Sequence, residues 1–338
     1  MKTVSQNGAV VDFFNAKKRI ADVKPLLGKR ETKGSFRKKL LASIVGTDLA
    51  TIDSILLQLI DESSDGTNDR YRLVENCNLT RYLWEQVRDT YGYESNNPSI
   101  IDFIHELFKE CFNLEIGQKS SLRGDAKVFF RGWKNSSHYT TSFRHYSEVC
   151  EKDLDIPGTI ISIDFRTLIG IDYFACIDRF IINNLINEIQ ERTISFDTIS
   201  EYMRKQRTGF WYNQYIHTYK ALYYASWFLK IIDEVNLNID TLSDGISQYT
   251  SSYFRVDRLY RKYLFHVRES GQLGQMEKIS TEIENRYSNK YLLKLNDRWQ
   301  NLVDASQDWK IAGYTTQKNF YTHYILPIVQ KERKVCVI

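Results

Sequence analysis

Proline is scarce in this sequence, with four in 338 residues, and glycine is held to 16. Each strand reversal draws on such residues for its turn, so a fold made of many hairpins is excluded. Cysteine is equally thin. The five, Cys77, Cys111, Cys150, Cys176 and Cys336, are odd in number, far apart and free of C-x-x-C spacing. That speaks against a disulfide framework or a zinc knuckle and predicts reduced thiols in a cytoplasm. No apolar run approaches the roughly 18 residues a membrane span needs, and the N-terminus has no basic-then-apolar leader. The expectation is a soluble cytoplasmic chain with no membrane partner.

Motifs of familiar chemistry are missing too. There is no G-x-x-x-x-G-K-[ST], no G-x-G-x-x-G after a strand and no G-x-S-x-G, which removes a P-loop, a dinucleotide turn and a nucleophile elbow. None of the six histidines shares an i, i+4 helical spacing with a second histidine and a carboxylate, the pattern a helical metal site uses. His138, His145 and Cys150 come nearest to a ligand set, yet they read as ordinary histidines and a thiol. Asp153 and Asp155 read as solvated carboxylates. No cofactor is expected in this chain, and neither a catalytic nor a metal-ligating residue is assigned.

What the sequence does have is aromatic bulk. With 22 Tyr and 18 Phe, 42% hydrophobic residues and 26% charged ones, it has the material of close-packed helices. The expected fold is mainly α, an irregular multi-helix bundle. Helical periodicity places elements over 35–45, with Gly46 as a stop, and over 49–62, with Thr47 or Asp48 as the cap and Leu49, Ile52, Ile55, Leu56, Leu59 and Ile60 as one stripe. Further helices are predicted over 77–91, 99–112, 164–191, 195–205, 210–235, 253–269, 276–302 and 316–331, with Ser195 and Asp240 as N-caps. The segment 117–159 reads as the least regular. Trp211, Tyr215, Tyr219, Tyr223 and Trp227 recur every fourth residue, which reads first as a buried helix face and second as a stacking platform for nucleobases. Arg207 is placed to rest on Trp211, and Asp257 to pair with Arg261.

Charge is uneven although the net value is only +4. Between Lys17 and Lys39 ten Lys and Arg residues face only Asp22 and Glu31. The plain reading is a solvated helical face. The sharper one is a contact with nucleic acid phosphates through Lys17, Lys18, Arg19, Arg37, Lys38 and Lys39. Arg255, Arg258, Arg261, Lys262 and Arg268 form a second candidate basic side. At the other end, Val335, Cys336, Val337 and Ile338 read as a buried strand.

Five segments together resemble a known family: "FFNAKKRI", "RTGFWYNQYIHTYKALYYA", "YFRVDRLYRKY", "YSNKYLLKLNDRW" and "QKNFYTHYILPIVQKERKVCVI". In order and spacing they are similar to the helical region of type-A PglZ proteins of the BREX phage-defence system, just before an alkaline-phosphatase-like core. The resemblance implies a metal-dependent phosphatase or phosphodiesterase in the parent protein, with divalent metal in a core that these residues do not include. It implies other BREX components as partners, with DNA as a further candidate. The expected organisation is a small basic helical subdomain (1–92), an irregular connection with one helix (93–160), a long-helix bundle (161–333) and the first strand of the core (334–338). The chain's own expected role is non-catalytic, positioning the core or binding partners. The alternative is an independent nucleic-acid-binding helical protein.

Overall fold

The computed structural model describes residues 23–26, 28, 32–306 and 311–331. Among them the structure is mainly α, with no strand. The terminal strand predicted over 334–338 lies outside the described residues, as do Lys17, Lys18 and Arg19.

Local chemistry sets most helix ends. Helix α1 (Lys33–Val45) begins where the Thr32 hydroxyl accepts from the Ser35 N–H at 3.1 Å, and it ends at Gly46, whose φ of 78° admits glycine without strain. Helix α2 (Ile52–Ser64) is capped by Thr51, not by the expected Thr47 or Asp48. The stripe therefore starts at Ile52, and Leu49 is left 63% exposed. Helix α3 (Asp69–Asn76) forms where no helix is predicted, and the helix predicted over 77–91 begins only at Thr80, as α4 (Thr80–Tyr91), after Asn78 takes a positive φ. Helix α5 (Ile100–Glu115) starts on its Ser99 cap.

The segment expected to be irregular holds α6 (Gly124–Asn135), α7 (Thr140–Asp153) and the short α8 (Ile156–Ile160). Gly124 opens α6, Gly132 lies inside it, and the polar run 134–142 closes α6 and opens α7 on either side of a short connection, so composition misled where position decides. The helix expected from 164 starts only at 175, since a 3-10 turn (Phe165–Leu168) and Gly170 at φ 94° come first. Next come α9 (Ala175–Gln190), α10 (Phe196–Gln206) and α11 (Tyr212–Glu234). Ser195 caps α10 as expected, accepting from the Thr198 N–H at 3.1 Å. Helix α12 (Leu242–Gln248) is capped by Thr241 and not Asp240, whose own N–H donates to Asp244.

The remaining helices are interrupted by wide π turns. A π turn (Tyr249–Tyr253) leads into α13 (Phe254–Ser270), and another (Arg286–Leu292) joins α14 (Glu277–Asn285) to α15 (Leu293–Asp304). A third (Tyr321–Ile325) precedes α16 (Leu326–Lys331). Nothing in the sequence reading marked such turns, which are rare and only a turn or so long.

The chain divides into two compact units. The first comprises residues up to Ile181 with Lys205–Gln214, and the second comprises Ile182–Arg204 with the residues from Tyr215 onward. In the first unit the core is aromatic: Phe130 meets Phe108 edge to face with centroids 4.8 Å apart, and Trp133 meets Phe143 the same way at 5.2 Å. Rings so placed contribute about 0.5–1.5 kcal/mol per pair beyond their burial. Cys77, Cys111, Cys150 and Cys176 are buried in this unit, and burial pushes the Cys111 and Cys150 thiols up to about 12. In the second unit Leu222, Phe228, Ile232, Leu259, Tyr263 and Tyr291 are buried.

Candidate basic surface

Of the six candidate phosphate contacts, Arg37, Lys38 and Lys39 lie among the described residues, all on α1. Leu40, Leu41, Ala42, Ile44 and Val45 bury the C-terminal half of that helix, which leaves the basic residues on its first turns toward solvent. Arg37 is exposed and its guanidinium lies 5.6 Å from the centre of the Tyr82 ring, while the Tyr82 hydroxyl donates to the Gly34 carbonyl at 2.8 Å. Burial raises the Tyr82 phenol above its usual range and the Arg37 charge moderates the rise, so Tyr82 stays a neutral donor. Beside it an open groove of about 440 Å³ is lined by Ser35, Lys38, Lys39, Ala50, Tyr82 and Gln86. No carboxylate is among these residues. Two lysines and the Gln86 amide thus line the groove, and Arg37 lies over the ring beside it.

The second basic side is also present. Arg255, Arg258, Arg261, Lys262 and Arg268 are all exposed on α13. Asp257 does not make the expected ion pair with Arg261. It accepts instead from the hydroxyls of Tyr249 at 2.8 Å, Tyr287 at 2.9 Å and Tyr291 at 3.3 Å, while Arg261 Nε reaches only the Asp257 carbonyl at 3.4 Å. The π turns bring these tyrosines onto one carboxylate, an arrangement that i, i+4 counting cannot anticipate.

The aromatic ladder is mostly buried. Trp211, Tyr215 and Tyr219 are at most 5% exposed, which closes them to nucleobases, and Trp227 stacks on Phe196 with centroids 5.6 Å apart. The cation over Trp211 is Arg144, at 4.6 Å from the ring centre, in place of the expected Arg207. Helix α7 supplies it from 67 positions away in sequence, so local spacing had no access to it.

Two polar constellations were not expected from sequence. In the first unit Lys134 donates to both oxygens of Asp172 at 2.6 Å, and Asp172 also accepts the Phe210 N–H at 2.8 Å. In the second, Asp233 gathers Arg286 at 2.6 Å, Lys290 at 2.7 Å and Arg192 at 3.8 Å, with Glu282 shared by both arginines. Burial pushes the Asp233 carboxyl up, but Lys290, Arg286 and Arg192 outweigh it and hold the carboxyl below its usual range. The Glu282, Arg286 and Lys290 spacing of four was the one available hint. Both groups are ion pairs in which each carboxylate meets a cation.

His217 and His266 meet through their Nδ1 atoms at 3.0 Å, and His266 is stacked on Tyr224 with centroids 5.4 Å apart. Burial, His217, Lys220 and Lys262 together push the His266 imidazole down to about 4. Among the described residues no three His, Cys, Asp or Glu side chains converge as a metal ion requires.

The chain is 25% identical, over 96% of its length, to the alkaline phosphatase-like protein PglZ of Bacillus cereus (strain H3081.97). It is similar to PglZ-type proteins. The alkaline phosphatase-like protein BrxZ of Escherichia coli O9:H4 (strain HS) is 24% identical over 94% of the chain. The chain spans 40% of the length of each of these curated relatives. No family model matches the chain, and no solved structure matches it. The PglZ-type likeness thus runs through both units, including both basic sides, and takes in less than half of either relative. Among the described residues no helix is long and apolar enough to cross a membrane.

Proposed function

We propose that this chain is a non-catalytic helical region of a PglZ-type, alkaline phosphatase-like protein of the BREX phage-defence system, acting in the cytoplasm. Its role is to position a metal-dependent phosphatase or phosphodiesterase core and to meet other BREX components. The observation that carries this reading is the coverage: nearly the whole chain aligns along 40% of two alkaline phosphatase-like proteins, while its described residues are helical. A phosphatase-like core of the expected kind is built on a sheet, so the hydrolytic part belongs to the remaining length of such a protein. There, divalent ions would polarise the phosphoryl oxygen and ready the nucleophile.

The test is hydrolysis by the purified chain. Phosphomonoester and phosphodiester test substrates, offered with zinc, manganese or magnesium, are expected to stay at background. Metal-dependent turnover that survives further purification would place the catalytic groups on this chain and overturn the non-catalytic reading. A second reading, nucleic acid binding, draws on the α1 groove with its two lysines and no carboxylate, together with Lys17, Lys18 and Arg19. The salt dependence of DNA binding tests it, as set out below.

A further inference from the structure

The helical segment from Gln317 to Lys331, closed by α16, keeps its large apolar side chains in water. Phe320 is 51% exposed, Tyr321 56%, Tyr324 48% and Ile328 51%, and no residue of α16 is buried. Scattered apolar residues on a surface need no explanation, but a row at spacing four along one helix does. Phe320, Tyr324 and Ile328 form such a row, with Tyr321 and Ile325 beside it, while Lys318, Asn319, Thr322 and His323 occupy other positions round the helix. The exposure begins earlier in the same unit. Helix α15 has no buried residue, and its Leu293 is 54% exposed.

A helix of about fifteen residues is marginal in water, and most of its stability comes from burying an apolar face. Phe320, Tyr324 and Ile328 therefore form a face made to be covered. One observation and one sequence expectation say by what. The observation is that the curated relatives are alkaline phosphatase-like and most of their length lies outside the match. The expectation, on residues outside the described ones, is that Val335, Cys336, Val337 and Ile338 read from sequence as a strand buried on both faces. Such a strand needs helices over its sheet, and elements adjacent in sequence are usually adjacent in space.

We propose that the face formed by Phe320, Tyr321, Tyr324, Ile325 and Ile328 is the docking surface for the phosphatase-like sheet domain of the same polypeptide, packed as one of that sheet's covering helices. The inference rests on the functional reading above and gives it a contact: the helical region positions the core by lending it a helix.

Hydrogen exchange, read by mass spectrometry, tests this on the present chain and on the polypeptide as its gene encodes it. In the present chain, residues 317–331 exchange within seconds while α5 stays protected. In the longer polypeptide, exchange over 317–331 slows by about 100-fold or more, as for a packed helix. Tyr324→Glu with Ile328→Glu in the longer polypeptide restores fast exchange there and leaves α5 unchanged, which separates lost docking from lost folding. Slow exchange in the present chain, accompanied by a dimeric mass in sedimentation, would overturn the proposal in favour of a second copy. Unchanged fast exchange in the longer polypeptide would overturn it as well. If that polypeptide also hydrolyses phosphoesters, the functional reading stands and only the docking falls. If it carries no phosphatase-like domain, the functional reading falls too.

Discussion

Replacing Lys134 with Met should cost the first unit about 3 kcal/mol. Lys134 and Asp172 expose only 13% and 10% of their side chains, and both Asp172 oxygens accept from the ammonium at 2.6 Å. Removing one partner of such a pair leaves a carboxylate stranded in a poorly solvated place, an effect of about 3–5 kcal/mol. The lower end applies because Asp172 keeps the Phe210 N–H at 2.8 Å and some access to water. Asp172→Ala should cost at least as much, since it strands both the ammonium and that N–H. In the double variant neither charge is stranded and only the Phe210 N–H loses its partner, so its loss should fall short of the summed single losses by about 2 kcal/mol. Urea unfolding followed by circular dichroism measures all three. If Lys134→Met stays within about 0.5 kcal/mol of the parent, the range for ordinary surface substitutions, the claim that this pair is shielded from water is refuted.

The remaining predictions are briefer. Changing Lys17, Lys18, Arg19, Lys38 and Lys39 to Glu should weaken any DNA binding and flatten its dependence on salt, because fewer counterions are released; equal affinity and slope would leave these residues as a solvated face. His266 titrates lower in the folded chain, at about 4, than the usual imidazole near 6.5. The unfolded chain therefore binds the extra proton between those values, and stability present above 6.5 is lost as the pH falls toward 4. The gap in melting temperature between the parent and His266→Gln should accordingly narrow over that range, and a constant gap would show that His266 does not titrate this way. Gly245→Val should destabilise the second unit by about 1–3 kcal/mol, since even a Cβ at Gly245 would lie 2.9 Å from the Trp299 ring. An unchanged urea midpoint would count against close packing of α12 on α15.

Helix existence was legible and helix interruption was not. Apolar spacing and caps identified α1, α5, α10, α11 and α13 to within a few residues, because those signals lie inside a single turn: Gly46 after α1, Ser195 before α10. The π turns at 249–253, 286–292 and 321–325 leave no such mark. Asn78 trimmed the start of one predicted helix and Gly170 cut into another through positive φ, which asparagine and glycine tolerate without requiring it. Of the candidate basic surface, the residues on α1 could be named from charge alone. The Tyr82 ring that holds Arg37 could not, since it comes from a helix 45 positions away. Asp172 attracted no attention as a single acid in sequence and Asp257 was matched only to Arg261, and each became the hub of a polar cluster only through tertiary packing.

The four described cysteines make the first unit self-reporting. All of them lie at or before residue 176, buried, and a thiol pushed up to about 12 holds roughly a thousandfold less of the reactive thiolate than one at 9.0. A maleimide therefore finds Cys111 or Cys150 only when the surrounding helices part. Because the second unit contributes no cysteine among its described residues, the mass added over time records the breathing of one half of the molecule without engineering a probe. Cys336, outside the described residues, would be resolved from the others by peptide mapping, so one alkylation experiment timestamps the opening of the aromatic core separately from events at the opposite end of the chain.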